Sequence, residues 1–198
     1  VETNLGKEKA HSLGIEIQDY INKFYEKYVK ENHSRKSFLE LQFEKQYLYL
    51  MIPKIRGEEN TGAKKRYAGL IEKNGKEELA IVGLEAIRGD WTEAAQDFQK
   101  ELLNKVFHDE PIEKFIKDYV KKVREGKLNT KLVYRKSIRK NLEEYTKTTP
   151  PHVKAARQLD TLESNIIEYY ITVEGPEPIQ KLKHKIDYDH YIEKQIKP

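Results

Sequence analysis

The first fifty residues show a helical pattern of apolar positions and then an alternating one. Between Leu13 and Tyr28, apolar and aromatic residues recur at helical spacing, while charged residues occupy the other face. This pattern predicts an amphipathic helix whose aromatic stripe joins a core. Residues 39–44 alternate between apolar and polar, which predicts a half-buried strand. Residues 47–52 predict the next strand, and Pro53 ends it because proline cannot donate to a ladder.

A hairpin follows, and its turn is the strongest local signal in the chain. Residues 64–69, with the sequence KKRYAG, lead into the apolar pair Leu70 and Ile71. Asn74 and Gly75 are typical of a two-residue hairpin turn, and residues 79–82 return as the partner strand. Three cations and an aromatic residue are therefore expected at the mouth of a rigid hairpin, where long side chains can reach a polyanion. The alternative interpretation is a solvated run of charges before a strand. Small Ala68 and Gly69 would let another backbone approach closely. Residues 56–63 predict a mobile loop.

The second half of the sequence predicts helices and short strands in mixed order. Asp90 and Glu93 resemble a capping box before a helix that extends to Val106. Pro111 suits the first turn of another helix, and Gly126 suits its C-terminal cap. Strands are predicted at 132–138 and 166–173, and helices after Thr149 and at 186–196. Residues 175–178 contain two prolines and predict a loop. The fold class is therefore α+β, with a domain boundary near Gly89.

Composition excludes some classes of protein and leaves nucleic-acid binding open. Charged residues make up 35% of the 198 residues, but the formal net charge is only +4, so overall charge does not indicate a polyanionic partner. The absence of cysteine excludes disulfides and thiolate chemistry. No apolar run approaches the roughly 20 residues of a membrane helix, so no membrane partner is expected. The chain begins with Val1, which suggests a piece of a longer protein.

Positive charge is concentrated in one segment, residues 127–157. Nine lysines and arginines occur there against two acids, Glu143 and Glu144. Such a cluster binds a nucleic-acid phosphate backbone favourably, because binding releases counterions, and this binding does not depend on the base sequence. This segment is therefore a candidate nucleic-acid interface. The alternative interpretation is a solvated face of a strand and a helix that happens to be basic.

Several blocks of the sequence resemble family-B DNA polymerases and occur in that family's order. Residues 64–70 are similar to the KKRYAGL motif, which lies on the palm beside the primer terminus. The other blocks run nearly from end to end of the chain, at residues 39–44, 53–57, 83–92, 132–136, 150–157 and 186–191. They most resemble the bacterial DNA polymerase II branch.

The resemblance implies two functional regions. Residues 1–89 would be the C-terminal part of a polymerase palm, a helix plus antiparallel strands. Residues 90–198 would be a mainly helical thumb with short strands that grips duplex DNA. By resemblance, Lys65 reaches the minor groove near the primer terminus and Tyr67 supports the primer strand, while Lys64 and Arg66 contact phosphates or brace the site. The expected phosphate contacts of the thumb are Lys131, Arg135, Lys136, Arg139, Lys140, Lys154 and Arg157.

No catalytic or metal-binding residue is predicted in this chain. The family's metal-binding aspartate motifs, its nucleotide-binding fingers motif and its exonuclease domain do not occur in the sequence. Asp187 and Asp189 stand two apart on a predicted helix, so their side chains diverge. We therefore expect an inactive fragment of a DNA-directed DNA polymerase. The parent would use two Mg²⁺ ions, deoxynucleotides, primer–template DNA and a sliding clamp, with 3′–5′ proofreading, in replication or repair in a bacterial cytoplasm.

Two alternatives come from other classes of protein. A stand-alone nucleic-acid-binding module without catalysis would use the same basic segment. A protein-interaction domain would carry the basic face incidentally. Sequence upstream of Val1 discriminates between the polymerase and the module, because the polymerase requires a metal-binding aspartate motif there.

Overall fold

The structure, a computed structural model, describes residues 3–54, 62–63, 65–146 and 148–197. The chain divides into two compact units, one formed by Val1–Tyr49 with Leu70–Glu78 and the other by Leu50–Gly69 with Leu79–Pro198. Its helices and two three-stranded sheets confirm the predicted α+β class. The functional boundary near Gly89 stays a prediction. The loop predicted at 56–63 lies almost entirely outside the described residues, and Lys64 lies outside them as well.

Helix α1, Lys7–His33, matches the predicted amphipathic helix but not its predicted burial. The helix ends where Ser34 adopts the left-handed conformation and its N–H donates to the carbonyl of Lys30 (3.1 Å). None of the helix residues is buried, and the side chain of Tyr20 in the aromatic stripe is 74% exposed. The prediction that this stripe joins a core is therefore wrong for this chain.

The strand predicted at 39–44 is also wrong, because α1 supplies the hydrogen bonds that a partner strand would otherwise supply. The N–H of Leu41 donates to Asn22 Oδ1 (2.7 Å), and Asn22 Nδ2 donates back to the carbonyl of Leu41 (2.9 Å). The N–H of Phe43 donates to Gln18 Oε1 (2.6 Å). The segment covers only one side of α1, because Gln18 and Asn22 point away from Tyr20, Phe24 and Tyr28. These three aromatic side chains stay exposed, whereas the apolar side chains of Leu13, Ile17 and Ile21 are half-buried.

The predicted hairpin is confirmed. Strands β1 (Tyr49–Met51), β2 (Tyr67–Lys73) and β3 (Lys76–Val82) form one sheet in the order β1-β2-β3. Asn74 and Gly75 connect β2 and β3 with φ of 54° and 72°. Two consecutive positive φ values define a type I′ turn, whose twist matches that of the flanking strands. The residues before the turn are therefore held in register.

Helix α2, Glu93–Phe107, does not begin with the capping box predicted at Asp90 and Glu93. Its N-cap is Thr92, whose hydroxyl accepts a hydrogen bond from the N–H of Ala95 (3.4 Å). Asp90 is not the cap, because its carboxylate is held by the guanidinium of Arg88 (2.7 and 3.0 Å). The N–H of Thr92 donates to the side chain of Gln195, so the start of α2 is tied to the end of the chain.

Helix α3, Glu113–Arg124, builds the larger core with α2. It begins after Ile112, so Pro111 lies just outside the helix rather than in its first turn. Tyr119 and Val123 are buried in the same core as Ala94 and Phe98 of α2, and the Tyr119 hydroxyl donates to the carbonyl of Ala94 (2.7 Å). The main buried members of this core are Ala94, Phe98, Tyr119, Val123, Leu132, Ile186, Tyr191 and Ile192.

A second antiparallel sheet carries the basic segment. Its order is β4 (Tyr134–Ser137), β5 (Ile166–Thr172) and β6 (Gly175–Pro178). The loop predicted at 175–178 is therefore a strand. Two prolines are tolerated there because β6 is an edge strand, where a missing N–H costs no ladder bond. Helix α4, Pro151–Ala156, packs on this sheet through Ala155 and Ala156, and α5, Tyr188–Tyr191, continues as a π-helical turn, Ile192–Ile196.

Candidate nucleic-acid interface

The basic motif, residues 64–69, leads directly into strand β2. Lys65 lies in a turn with its side chain exposed, and Tyr67 is the first residue of β2 and is half-buried. Ala68 and Gly69 are buried within the chain. Their small size therefore serves packing inside this protein rather than the close approach of an outside backbone. The structure thus presents Lys65 outward from a strand whose following residues are fixed.

Gly83, just after β3, lies close to the backbone of Lys65. Gly83 has φ of +64°, a conformation that residues with a side chain rarely adopt. A Cβ at this position would overlap the carbonyl oxygen of Lys65 and would crowd Cγ of Arg66 at 3.3 Å. Only glycine lets the two backbone segments approach in this way. The backbone at Lys65 is therefore positioned by contact with the end of β3.

Arg66 is held by an acid rather than left open. Its guanidinium forms an ion pair with Glu85, in the 3₁₀ turn Glu85–Ile87, and the Glu85 side chain is only 17% exposed. Burial alone would raise the pKa of Glu85. Hydrogen bonds from its own backbone N–H and from Gln99, together with the charge of Arg66, outweigh burial and lower that pKa below its usual value. Glu85 is therefore ionised at neutral pH and balances the charge of Arg66.

Two of the seven cations predicted to contact phosphate, Lys131 and Arg135, are ion-paired with acids outside the basic segment. We call them the paired cations. Lys131 Nζ lies 2.5 Å from Asp97 and 3.2 Å from Glu93, and these hydrogen bonds raise the pKa of Lys131. Arg135 Nε lies 2.5 Å from Glu168, its cross-strand neighbour on β5. Much of their positive charge is therefore already balanced.

Arg157, at the end of α4, contacts the backbone of the preceding loop. Its Nη2 donates to the carbonyls of Leu142 (2.8 Å) and Tyr145 (3.2 Å), and its Nη1 reaches the hydroxyl of Thr149 (3.5 Å). A planar guanidinium suits such a fork of acceptors, whereas an ammonium does not. Arg157 therefore braces the loop from 139 to 149, within its described part.

The remaining four predicted cations are exposed. Among the described residues, no ion pair involves Lys136, Arg139, Lys140 or Lys154, and we call these four the exposed cations. Lys136 lies close enough to Asp90 and His152 to lower the pKa of both, after the larger effects of Arg88 on Asp90 and of burial on His152. The N–H of Arg139 donates to the Tyr145 hydroxyl (3.3 Å), which fixes the backbone of the loop. Their positive charge is therefore not balanced by an ion pair within the described residues.

Sequence reasoning assigned no role to Gly83, Glu85 or Gln99, although all three surround the basic motif. Gly83 and Glu85 stand in a block already similar to the polymerase family, which was the available signal. Gln99 lies in the middle of an ordinary amphipathic helix, and no local pattern distinguishes it from Gln96, one turn earlier.

Metal-binding groups are not assembled in the part of the chain that the structure describes. No cluster of three or more histidine, aspartate or glutamate side chains that could hold a metal ion occurs there. Asp187 accepts a hydrogen bond from the N–H of His190 (3.0 Å), and Asp189 pairs with Arg124 (3.1 Å), so the two carboxylates do not converge. These described residues therefore include no group of ligands for the two Mg²⁺ ions that the resemblance implies. Within the same ranges, no helix is long and apolar enough to span a membrane.

Comparison with known proteins identifies the family. The family described as DNA polymerase family B matches residues 7–198, and the chain therefore belongs to DNA polymerase family B. The chain is 36% identical to DNA polymerase II of Escherichia coli strain K12, over 97% of this chain and 26% of that protein. It is 34% identical to a DNA polymerase of Thermococcus aggregans, over 69% of this chain and 8% of that protein.

The fold agrees with the sequence family. The solved structure of the family B DNA polymerase from the hyperthermophilic archaeon Pyrobaculum calidifontis is similar, with a TM-score of 0.58 and 27% identity. The similarity covers 89% of this chain and 23% of that one. The chain thus spans about a quarter of the length of the Escherichia coli and Pyrobaculum relatives.

Proposed function

We propose that this chain is the C-terminal palm and the thumb of a family B DNA polymerase and that it grips primer–template duplex DNA. The proposal rests on the four exposed cations. They lie on β4, on the loop after it and on α4, all in one compact unit. The family match supplies the class of ligand. A phosphate backbone is the polyanion that such cations would bind without reading sequence.

In this proposal the basic motif acts at the primer terminus. Lys65 donates a hydrogen bond to the minor groove, where every Watson–Crick pair presents an acceptor at a similar position. A lysine there tests the geometry of a base pair without reading its sequence. Tyr67, at the start of β2, supports the primer strand. Lys64 lies outside the described residues, and its role beside the motif rests on the resemblance alone.

The parent protein would extend primers by templated nucleotidyl transfer, with 3′–5′ proofreading, in replication or repair. The metal-holding carboxylates would come from outside this chain, so we expect the chain alone to be inactive. Deoxynucleotides and a sliding clamp would be partners of the parent, in a bacterial cytoplasm near the nucleoid. Two Mg²⁺ ions at the parent's active site would stabilise the charge that develops on the transferred phosphoryl group.

Primer extension by the full-length polymerase tests the role of Lys65. Lys65→Ala should slow extension from a matched terminus far more than from a mismatched one. A charge-assisted hydrogen bond contributes about 1.5–3 kcal/mol, which is roughly ten- to a hundred-fold in rate. Purines that lack the N3 acceptor (3-deaza analogues) should reproduce the defect in the wild type and add little in the variant.

Lys76→Ala is the matched control, because Lys76 is an exposed lysine at the turn end of the same hairpin. Equal defects in the two lysine variants, with no response to the base analogue, would reduce the basic motif to a solvated strand edge. Failure of the wild-type chain to bind duplex DNA would overturn the proposed function as a whole.

A further inference from the structure

A chain of side-chain hydrogen bonds links the basic motif to helix α2. Arg66 pairs with one carboxylate oxygen of Glu85, and Gln99 Nε2 donates to the other at 3.3 Å. Gln99 is fixed in turn, because its Oε1 accepts a hydrogen bond from the N–H of Ala86. Gln99 therefore holds the 3₁₀ turn Glu85–Ile87 through both its backbone and its carboxylate.

The geometry orients Glu85 in a way that a lone ion pair would not. An exposed arginine–carboxylate pair can adopt many rotamers, and its average contribution is small. Here the second oxygen of Glu85 is engaged by Gln99, and the Glu85 side chain is largely covered. The carboxylate is thereby pre-oriented toward Arg66. The Arg66 side chain is 47% exposed, so the pair lies at the surface on the Arg66 side only.

We propose that Gln99 of α2 is a positioning residue for the basic motif and acts through Glu85 and Arg66. This role rests on the proposed function. Lys65 directly precedes Arg66, so fixing Arg66 also fixes the position from which Lys65 would reach the primer end. Arg66 is thus assigned to bracing rather than to phosphate contact. Gln99 lies in the predicted thumb and Arg66 in the predicted palm. The chain of bonds therefore transmits the position of the first thumb helix to the primer terminus.

The sign of the effect of Glu85→Gln discriminates between bracing and phosphate contact. If Arg66 braces the motif, this near-isosteric change removes the counter-charge, loosens Lys65 and slows extension from matched primers by the full-length polymerase. If Arg66 is instead a phosphate contact that Glu85 partly neutralises, the same change frees its charge and tightens duplex binding. Faster extension with tighter binding would overturn the positioning role.

Gln99→Leu tests the next link, and Gln96→Leu is its matched control. Gln96 lies one turn earlier on α2 and donates to the carbonyl of Arg88 (2.8 Å), with no bond to Glu85. We expect Gln99→Leu to slow matched extension about two- to tenfold, the range for one or two neutral hydrogen bonds. Gln96→Leu should leave the rate within about twofold. Gln99→Glu, which keeps an acceptor for Ala86 but repels Glu85, should behave like Gln99→Leu.

A double-mutant cycle with Lys65→Ala separates positioning from general destabilisation. If Gln99 acts through the motif, Gln99→Leu should cost little further rate in the Lys65→Ala background. Full additivity, or an equal defect in Gln96→Leu, would overturn the proposal. The affinity of the Gln99→Leu variant for duplex DNA shows whether it is still folded. This affinity should stay within about twofold of wild type, because the exposed cations are unchanged. A wild-type rate in Lys65→Ala itself would overturn the proposed function of the motif, and the role of Gln99 with it.

Discussion

The basic motif and the exposed cations are both rich in positive charge, but they differ in what surrounds that charge. Arg66 of the motif is balanced by Glu85 and fixed by a chain of hydrogen bonds to α2. The exposed cations have no ion-pair partner among the described residues. A balanced, fixed cation sets geometry and releases few counterions on binding. An exposed cation contributes affinity that falls steeply with salt. We therefore propose that position and affinity are assigned to different regions of this protein.

The largest effect should come from removing the exposed cations together. Alanine at Lys136, Arg139, Lys140 and Lys154 should weaken duplex binding similarly for all sequences. An exposed ion pair contributes roughly 0.2–1 kcal/mol, so four contribute up to about 4 kcal/mol, or up to about a thousand-fold in Kd. Fluorescence anisotropy with two unrelated duplexes at fixed salt measures the change. An unchanged Kd would mean that this face is only solvated.

Gly83→Ala should damage the motif without touching a charge. The left-handed conformation costs a residue with a side chain about 1–2 kcal/mol, and the added Cβ overlaps the Lys65 carbonyl. We expect a stability loss of at least about 1 kcal/mol and slower extension from matched primers by the full-length polymerase. Gly89→Ala is the control, since no heavy atom lies within 4 Å of a Cβ placed there. Equal behaviour of the two variants would mean that the contact between Gly83 and Lys65 does not position the motif.

Arg157→Lys should be nearly as harmful as Arg157→Ala. A phosphate contact would survive the lysine substitution, because the charge remains, whereas bracing of Leu142 and Tyr145 requires the planar fork. Both variants should weaken duplex binding a few-fold and increase proteolysis within the loop. Full rescue by lysine, with an unchanged proteolysis pattern, would instead assign Arg157 to direct phosphate binding.

The smallest effect should be a loss of stability in mild acid. Burial, and then the nearby Lys136, lower the pKa of His152; burial lowers that of His190, against the opposing charge of Asp187. A depressed folded-state pKa means that the unfolded chain binds more protons, so stability is lost as pH falls below about 6.5, the usual histidine value. Each histidine can contribute at most about 1.4 kcal/mol per pH unit.

Denaturant unfolding at pH 7.5 and pH 5.5 measures this loss. His190→Gln should flatten the difference between the two pH values. A midpoint that rises toward pH 5.5 would contradict the assignment of both histidines as neutral in the folded protein.

Elements determined by local sequence were predictable. The type I′ turn follows from Asn74 and Gly75, two residues that tolerate positive φ. This turn was enough to predict the hairpin that begins at the basic motif. Errors arose where tertiary partners override local pattern. Residues 39–44 alternate like a strand, but Gln18 and Asn22 of α1 satisfy their backbone groups. Residues 175–178 look like a loop because of their prolines, but they pair with β5 as an edge strand.

Counting charges within one segment overstated the available charge for the same reason. The surplus between 127 and 157 ignores acids that are distant in sequence and close in space. Glu93 and Asp97 on α2 balance Lys131, and Glu168 on β5 balances Arg135. Only the fold shows which members of this cluster have no ion-pair partner among the described residues.

The salt dependence of duplex binding by two matched double variants tests the division between paired and exposed cations most directly. Glutamine replaces the paired cations Lys131 and Arg135 in one variant and the exposed cations Lys136 and Lys140 in the other. Each variant removes two positive charges. Each phosphate contact contributes about 0.9 to the slope of log K against log salt. We expect the slope to fall by up to about 1.8 in the exposed variant and to stay near the wild-type value in the paired variant. Equal reductions in the two variants, or a larger one in the paired variant, would contradict the division.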